Sequence, residues 1–201
     1  SLTMNIQFSP PDITEEEIEE VANALRSGWI TTGPRVKELE RQLAAFVGVS
    51  RCVCLNSQTA CAEMALRVLG VGAGDEVIVP AYTYTATASV VCHVGATPVI
   101  VDCAPHSFEM DYDAVEKAIT EHTRAIIPVD LGGVPCDYDR LFDIVEHTRE
   151  TFEPASEVQR ALGRVAICAD AAHSFGAVYQ GRPIGSVADF SSFSFHAVKN
   201  F

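Results

Sequence analysis

The sequence predicts an α/β fold with an open, mostly parallel sheet sandwiched by helices. Short runs of β-branched and other apolar residues alternate along the chain with segments in which apolar residues recur at helical spacing. The short runs are continuous rather than alternating, which is typical of parallel strands buried on both faces by helices. The composition is that of a folded chain, because 48% of the 201 residues are hydrophobic and 20% are charged.

Two amphipathic helices are predicted ahead of the first strand. Thr14 opens a capping box, and apolar residues recur at helical spacing behind it. Pro34 suits the first position of the second helix, and Gly48 suits the end of that helix. We therefore expect an N-terminal helical arm over residues 1–50 and a larger domain over residues 51–201.

The larger domain is predicted to alternate strands with helices. Strands are expected over residues 51–55, 76–79, 97–101, 125–129, 165–169 and 190–195. Helices are expected over residues 59–69, 83–94, 112–121 and 137–147. Residues 149–163 are polar, and we expect a solvated insertion there. Ligands of open parallel sheets bind beyond the carboxyl ends of the strands, so the residues that follow each strand are the candidates for a site.

The charge and the cysteine pattern restrict the classes of partner. Fourteen Lys and Arg residues oppose 27 Asp and Glu residues, and the net charge of −13 disfavours non-specific nucleic-acid binding. No apolar run reaches the roughly 18 residues of a membrane-spanning helix. Seven cysteines without a preceding signal peptide indicate buried thiols in a cytoplasmic protein. Cys52 and Cys54 lack further ligands at a suitable spacing, so we expect core packing and no metal site.

A hydroxyl-rich segment follows the first predicted strand and leads into a helix. It contains Ser57, Gln58 and Thr59. Hydroxyls and free backbone N–H groups at the start of a helix suit a phosphate. An ordinary helix cap has the same composition, so the segment alone leaves both interpretations open.

An acidic residue and a lysine follow the later strands. Asp170 ends a buried strand, where ionisation is costly without a partner, and His173 comes three residues later. Lys199 follows an aromatic strand, and desolvation there would favour the neutral amine that Schiff-base chemistry uses. Each residue alone also fits a structural role. Together a phosphate site, an acid for a pyridine nitrogen and an amine for an aldehyde are what pyridoxal 5'-phosphate (PLP) requires.

Seven short motifs occur in one order along the chain. They are residues 27–35 (SGWITTGPR), 55–60 (LNSQTA), 74–80 (GDEVIVP), 95–99 (GATPV), 125–129 (AIIPV), 170–173 (DAAH) and 192–200 (SFSFHAVKN). In this order they resemble the DegT/DnrJ/EryC1/StrS family of PLP-dependent sugar aminotransferases, which have the aspartate-aminotransferase fold. The resemblance implies that a small C-terminal domain follows the lysine outside this chain. The 201-residue segment alone is therefore expected not to catalyse transamination.

The resemblance implies roles for four residues around the cofactor ring. Lys199 would form the Schiff base with PLP and then move protons between cofactor and substrate. Asp170 would pair with the pyridinium nitrogen, and His173 would bind the 3-oxygen of the ring. Tyr84 would stack on the ring, although core packing at the start of a helix is the alternative for this side chain.

The resemblance also implies where the phosphate and the substrate bind. The phosphate ligands would be Ser57, Gln58, Thr59 and Ser194. The turn that contains Trp29, Ile30 and Thr31 would border the sugar-nucleotide site, with help from a second subunit. Two positions depart from the family pattern. Gln58 stands where glycine is usual, which is costly if that residue needs a positive φ, and Asp130 stands where many members have histidine, which leaves the particular substrate open.

The predicted activity is transamination of a nucleotide-linked keto-sugar, with glutamate as the expected donor, by a cytoplasmic homodimer with ping-pong kinetics. Three alternatives remain. One is a different PLP reaction such as sugar dehydration, although that branch of the family has histidine in place of the lysine. Another is a regulatory or binding protein that keeps the scaffold without turnover. The third is a nicotinamide-binding domain, which the absence of a G-x-G-x-x-G turn after the first strand disfavours.

Overall fold

The computed structural model describes Met4, residues 6–7 and residues 10–199. The helices are α1 Glu15–Arg26, α2 Pro34–Val47, α3 Gln58–Val68, α4 Ala86–His93, α5 Tyr112–Ala118, α6 Tyr138–His147 and α7 Glu157–Leu162. The strands are β1 Glu76–Pro80, β2 Thr97–Val101, β3 Thr123–Ile126, β4 Ala166–Asp170, β5 Val178–Tyr179, β6 Arg182–Pro183 and β7 Phe190–Ser192. Short 3-10 turns cover Leu131–Gly133 and Arg149–Thr151.

Five of the strands form one parallel sheet in the order β2-β1-β3-β4-β7. Every residue of β3 and β4 is buried, as expected for central strands covered on both faces. Ile78 and Ile126 pack with α5 and α6 on one face, and Val77 and Ala125 pack with α3 and α4 on the other. The predicted α/β class with a parallel sheet sandwiched by helices is therefore confirmed.

Capping residues form the start of α1, the end of α2 and the start of α6. Thr14 and Glu17 make the predicted capping box at the start of α1. Gly48 has φ +74° and ends α2 in the left-handed conformation that glycine adopts without strain. Asp137 caps α6, because its carboxylate accepts a hydrogen bond of 3.0 Å from the Arg140 N–H group. Local chemistry therefore sets these boundaries.

Residues 51–55 do not form a strand, and this prediction was wrong. The apolar pattern that suggested a strand is present, since Cys52 and Cys54 are half-buried and Val53 is exposed. A strand also needs a neighbour to pair with, and none pairs with this segment within the range that the structure describes. The Cys54 N–H group instead donates to the Glu40 carboxylate at 2.9 Å.

Several boundaries differ from the prediction. β3 begins and ends earlier than expected, and beyond it Val129 forms a single parallel bridge with Asp170. α5 ends at Ala118, because Ile119 is extended. β7 is shorter than expected, and the small antiparallel hairpin of β5 and β6 was not predicted. None of these changes alters the order of the elements.

The segment over residues 149–163 is partly core, which corrects the expectation of a solvated insertion. Phe152 is buried, and Gln159 in α7 is only 1% exposed. The Gln159 amide oxygen accepts from the Ala155 N–H group at 2.7 Å, and its nitrogen donates to the Leu69 carbonyl at 3.0 Å. The buried amide therefore ties this segment to the end of α3.

Replacing Gln159 with Ala is expected to lower the free energy of unfolding of the complete protein by about 1–3 kcal/mol, because the buried hydrogen bond to the Leu69 carbonyl is lost together with the bond from the Ala155 N–H group. Urea titration measures the change. Arg160→Ala on the same helix is the control, since Arg160 is exposed and pairs with Glu157 on the surface. Equal midpoints for Gln159→Ala and Arg160→Ala would contradict this account of the segment.

The cysteines are all free thiols. Cys136 and Cys168 are buried as expected, but Cys92 is exposed, so the expectation of buried thiols was wrong for that residue. Cys52 and Cys54 are half-buried. Within the part of the chain that the structure describes, no helix is long and apolar enough to cross a membrane.

Candidate active site

The carboxyl ends of β4 and β7 meet at one edge of the sheet. Asp170 is the last residue of β4 and lies beside Ser192, the last residue of β7. On its other side, the bridge to Val129 brings in the chain that leaves β3. The N-terminus of α3 reaches the same edge through Gln58. The segments that follow β3, β4 and β7 and the start of α3 therefore converge here.

Asp170 is a buried carboxylate with two modest hydrogen bonds. Its side chain is 8% exposed and accepts from the Thr87 hydroxyl at 3.3 Å and from the Ala172 N–H group at 3.2 Å. Burial raises the pKa of Asp170, and these two hydrogen bonds only partly oppose that shift. A cation placed against the carboxylate would stabilise its ionised form, which is what a protonated pyridine nitrogen supplies.

His173 is held in one tautomer. The Gly132 N–H group donates to Nδ1 of His173 at 3.1 Å. Because Nδ1 accepts a hydrogen bond, the neutral imidazole carries its proton on Nε2. His173 is half-buried, so the Nε2–H group can donate to an anionic oxygen such as the 3-oxygen of a pyridine ring.

The N-terminus of α3 supplies backbone donors. Ser57 is the N-cap residue, and its hydroxyl accepts from the Ala60 N–H group at 3.1 Å, so the capping interpretation of this residue is correct. Gln58 and Thr59 are the first two residues of the helix, so their backbone N–H groups have no acceptor within the helix. A helix of 11 residues with free N–H groups at its start can also bind a phosphate.

Gln58 does not strain the backbone. The described non-glycine residues with positive φ are His106 and Gln180, so the expected cost of a left-handed residue does not arise at Gln58. Its side-chain amide donates to the Ser192 hydroxyl at 2.9 Å, and that hydroxyl donates to the Ala169 carbonyl at 3.2 Å. The side chain thus fastens α3 to the end of β7, and the backbone N–H group of Gln58 is the part suited to a phosphate.

Replacing Gln58 with Ala is expected to weaken PLP binding roughly three- to tenfold, because one hydrogen bond that orients the start of α3 is lost. The dissociation constant of PLP, measured by titration of the complete protein, reports the change. Gln42→Ala is the matched control, since the Gln42 amide binds Glu38 on the surface of α2. Unchanged PLP affinity in Gln58→Ala would show that the contact with Ser192 does not organise the site.

Lys199 lies in a turn after β7. The residue is half-buried, and its backbone N–H group donates to the His196 carbonyl at 2.8 Å. The Ser194 hydroxyl accepts from the His196 N–H group at 3.3 Å, so it stabilises the same turn. Asn200, the last residue of the motif that carries the lysine, lies outside the described residues.

An aromatic cluster joins the segment of His173 to the segment of Lys199. The ring of Phe175 is stacked on Phe46 of α2 at 5.1 Å between centroids. It also makes edge contacts with Phe193 and Phe195 at 5.3 and 5.2 Å. Because Phe175 lies two residues after His173 and Phe195 lies four before Lys199, these contacts hold the two segments side by side.

Tyr84 is exposed, so the alternative of core packing is wrong for this side chain. It is 80% exposed and lies just before α4, three residues from the Thr87 that binds Asp170. Thr87 itself was not a sequence candidate. It shares α4 with the polar residues Ser89 and His93, so the sequence carried no signal that singled it out.

The turn between α1 and α2 is exposed. Trp29 is 59% exposed and Ile30 is 78% exposed, and Thr31 is also exposed. The indole N–H group of Trp29 donates to the Thr32 carbonyl at 3.2 Å, and the ring lies directly over Gly33. The contacts of Trp29 are made within the turn, so the structure does not join these residues to Asp170 or His173.

The donors and acceptors at the sheet edge fit PLP. The start of α3 suits the phosphate, Asp170 suits a protonated nitrogen, and the Nε2–H group of His173 suits the 3-oxygen. Lys199, on the segment packed beside His173, supplies the amine. Four different groups of PLP therefore find residues of matching chemistry.

Comparison with known proteins identifies the family. The sequence profile of the DegT/DnrJ/EryC1/StrS aminotransferase family matches residues 11–201. The chain is 38% identical over 195 residues to the spore coat polysaccharide biosynthesis protein SpsC of Bacillus subtilis and covers 46% of it. It is 39% identical over 200 residues to the UDP-4-amino-4-deoxy-L-arabinose–oxoglutarate aminotransferase of Shewanella sediminis and covers 47% of it. These matches use 97% and 98% of the chain, which thus spans about half the length of either relative.

Solved structures give the same result. The chain is 62% identical to Spr1654 of Streptococcus pneumoniae, described as a sugar aminotransferase, with a TM-score of 0.97 over 98% of this chain and 50% of that one. That protein is solved as the apo form and in PLP and PMP forms. DesV of S. venezuelae is 38% identical, with a TM-score of 0.80 over 92% of this chain and 46% of that one. The chain therefore belongs to the DegT/DnrJ/EryC1/StrS aminotransferase family, whose cofactor is PLP.

Proposed function

We propose that the complete protein is a PLP-dependent aminotransferase that transfers the amino group of glutamate to a nucleotide-linked keto-sugar. The observation that carries the proposal is the buried Asp170 beside a His173 whose Nε2–H group is set to donate. PLP, when bound, supplies the electron sink for a carbanion next to nitrogen. Family membership supports the reaction class.

Each site residue has a role in this proposal. Asp170 keeps the proton on the pyridine nitrogen, and His173 donates to the 3-oxygen. The Lys199 amine would hold the cofactor covalently and would carry a proton to and from the substrate carbon. The backbone N–H groups of Gln58 and Thr59 hold the phosphate.

Two further phosphate ligands belong to the proposal. They are the hydroxyls of Ser57 and Ser194. Both hydroxyls accept a backbone hydrogen bond in the structure. The Ser57 hydroxyl also donates a long hydrogen bond of 3.5 Å to the Asn56 side chain, which a phosphate oxygen would replace as the acceptor. Tyr84 would stack on the ring, and its exposure leaves its face accessible.

The substrate class rests on the relatives and on the chemistry of the donor. The relative from Shewanella sediminis is named for a UDP-linked amino sugar and for oxoglutarate. Glutamate becomes 2-oxoglutarate when it gives up its amino group, which supports glutamate as the donor here. The exposed turn of Trp29, Ile30 and Thr31 is the proposed border of the sugar-nucleotide site.

We further infer a cytoplasmic homodimer in which residues 1–50 form an arm and residues 51–201 belong to the PLP-binding domain. α1 buries none of its residues in this chain. Ile18, Val21 and Leu25 expose an apolar stripe on it. A second subunit packed against this stripe would bury it and would approach the turn at Trp29. The free thiols are consistent with a reducing compartment.

The test incubates the complete protein with PLP, glutamate and a panel of keto-sugar nucleotides. We expect formation of 2-oxoglutarate and of an amino sugar, and only from those substrates that carry the keto group at one particular ring position. The kinetics should show the parallel lines of a ping-pong reaction. The same keto-sugars without the nucleotide are the control. Equal turnover of the free sugars would refute the nucleotide-linked substrate, and PLP binding without any amino transfer would refute the transaminase activity.

A second candidate is another PLP reaction on the same scaffold. The chain is 33% identical to 3-amino-5-hydroxybenzoic acid synthase, with a TM-score of 0.80 over 94% of this chain. A protein of this fold is therefore named for a product other than an amino sugar. Consumption of a keto-sugar nucleotide without formation of 2-oxoglutarate would favour this candidate, and bound PLP without turnover of any substrate would favour a regulatory protein.

A further inference from the structure

Asp130 is a carboxylate completely shielded from solvent next to the candidate site. It is 0% exposed, and its backbone N–H group donates to the Asp170 carbonyl at 3.1 Å. Burial raises the pKa of Asp130, and its hydrogen bonds oppose that shift. A side chain with no exposed surface cannot touch a substrate, so Asp130 must act through its neighbours.

The Asp130 carboxylate joins two separate segments of the chain. One oxygen accepts from the Cys136 N–H group at 3.0 Å and from the Tyr138 hydroxyl at 2.8 Å. The other oxygen accepts from the Ser174 hydroxyl at 2.8 Å. The first two partners follow the turn at Leu131–Gly133, and the third follows β4. Asp130 therefore connects the turn after β3 with the segment after β4.

These two segments carry the two partners of the hydrogen bond that fixes His173. Gly132, which donates to Nδ1 of His173, is two residues from Asp130. His173 is the neighbour of Ser174, which is itself 0% exposed. The approach is close, because a Cβ atom on Gly133 would lie 2.9 Å from the His173 carbonyl oxygen. Both sides of this contact are thus fastened to one carboxylate.

We propose that Asp130 is a positioning residue of the cofactor site, which holds the Gly132 turn against His173 and so keeps the imidazole proton on Nε2, towards the cofactor. Without that link, the Nδ1–H tautomer would become accessible and the donor to the 3-oxygen would be present for only part of the time. The use of the Nε2–H group rests on the proposed function, whereas the tautomer itself is a property of the protein chain.

The test measures the tautomer of His173 in the complete protein without PLP, by NMR of 15N-labelled histidine side chains. The signals of His173 are assigned by their loss in His173→Gln. In the wild type we expect a proton on Nε2 and an unprotonated Nδ1. Ser174→Ala removes the hydrogen bond by which the Asp130 carboxylate holds the His173 segment and leaves the backbone bond from Asp130 to Asp170 in place. We expect a mixture of both tautomers in this variant.

Three variants separate positioning from a general loss of stability. Tyr138→Phe removes a bond to the same carboxylate on the side of the turn, so it is the matched control and should keep the Nε2–H tautomer. Asp130→Asn should also keep it, because the amide can accept from Cys136 and donate to the Ser174 hydroxyl. Asp130→Ala should behave like Ser174→Ala.

PLP affinity is the second readout. Titration of the complete protein with PLP should give a roughly three- to tenfold weaker dissociation constant for Ser174→Ala than for Tyr138→Phe. An unchanged tautomer in Ser174→Ala, or the same mixture in Tyr138→Phe, would overturn the proposal. Should Asp130→Ala fail to fold, Ser174→Ala decides the question alone. If the wild type failed to bind PLP, the proposed function would fail, while the tautomer measurement would still decide the role of Asp130.

Discussion

Replacing Asp170 with Asn is expected to remove most of the transaminase activity of the complete protein and to stabilise the PLP-free form at neutral pH. The neutral amide cannot pair with a pyridinium cation, and loss of one partner of a buried charge pair costs about 2–5 kcal/mol. The ratio kcat/KM should therefore fall roughly 30- to 5,000-fold. Steady-state kinetics with glutamate and the accepted keto-sugar measures this loss.

The stability half of that prediction depends on pH. Burial raises the pKa of Asp170, so the folded PLP-free protein binds this proton more tightly than the unfolded chain does. Stability is then greatest below the ordinary pKa of an aspartate and falls as pH rises through the raised pKa. The Asp170→Asn variant has no carboxyl group to ionise at this position, so it does not lose stability in this way. Its Tm advantage over the wild type should therefore grow as pH rises from about 4 to about 8.

Asp143→Asn is the matched control for the pH series, because Asp143 is exposed on α6. It should show no Tm advantage that grows with pH. A PLP-free Asp170→Asn variant less stable than the wild type at about pH 8 would contradict the assignment of Asp170 as a buried carboxylate that needs a cation.

Replacing Lys199 with Ala is expected to reduce turnover by at least roughly 1,000-fold, because the amine that holds the cofactor and moves the proton is lost. The phosphate and ring contacts remain, so the variant should still bind PLP, but dialysis should remove it. Absorbance before and after dialysis measures retention. Lys117→Ala is the control, since Lys117 is exposed on α5, and comparable loss of turnover in that variant would contradict the assignment.

The elements that local chemistry sets were predictable from the sequence. Thr14 and Gly48 mark helix ends by capping, which depends on a few neighbouring residues. The buried strands were recognisable because continuous apolar runs have few other uses in a folded chain. Residues 51–55 show the limit of this reasoning, since an apolar pattern makes a strand only where another strand lies beside it.

Contacts between distant parts of the chain could not be predicted in the same way. Gln58 and Ser192 are 134 residues apart, so their hydrogen bond could not be inferred from the sequence. The expected cost of Gln58 is absent because its φ is not positive, which also required the fold. Asp130 was noticed only as a departure from a family pattern, because nothing in the sequence indicates that its side chain meets Ser174. The candidate residues Asp170 and His173 were found from their residue types, but their pairing with Thr87 and Gly132 required the fold.

Identification of the lysine that carries PLP tests the central claim most directly. The complete protein is incubated with PLP, reduced with borohydride, digested and analysed by mass spectrometry. We predict a pyridoxyl group on Lys199 and none on Lys37 or Lys117, the other two lysines of this sequence. A protein that takes up no PLP, or one labelled elsewhere with Lys199 unmodified, would contradict the account.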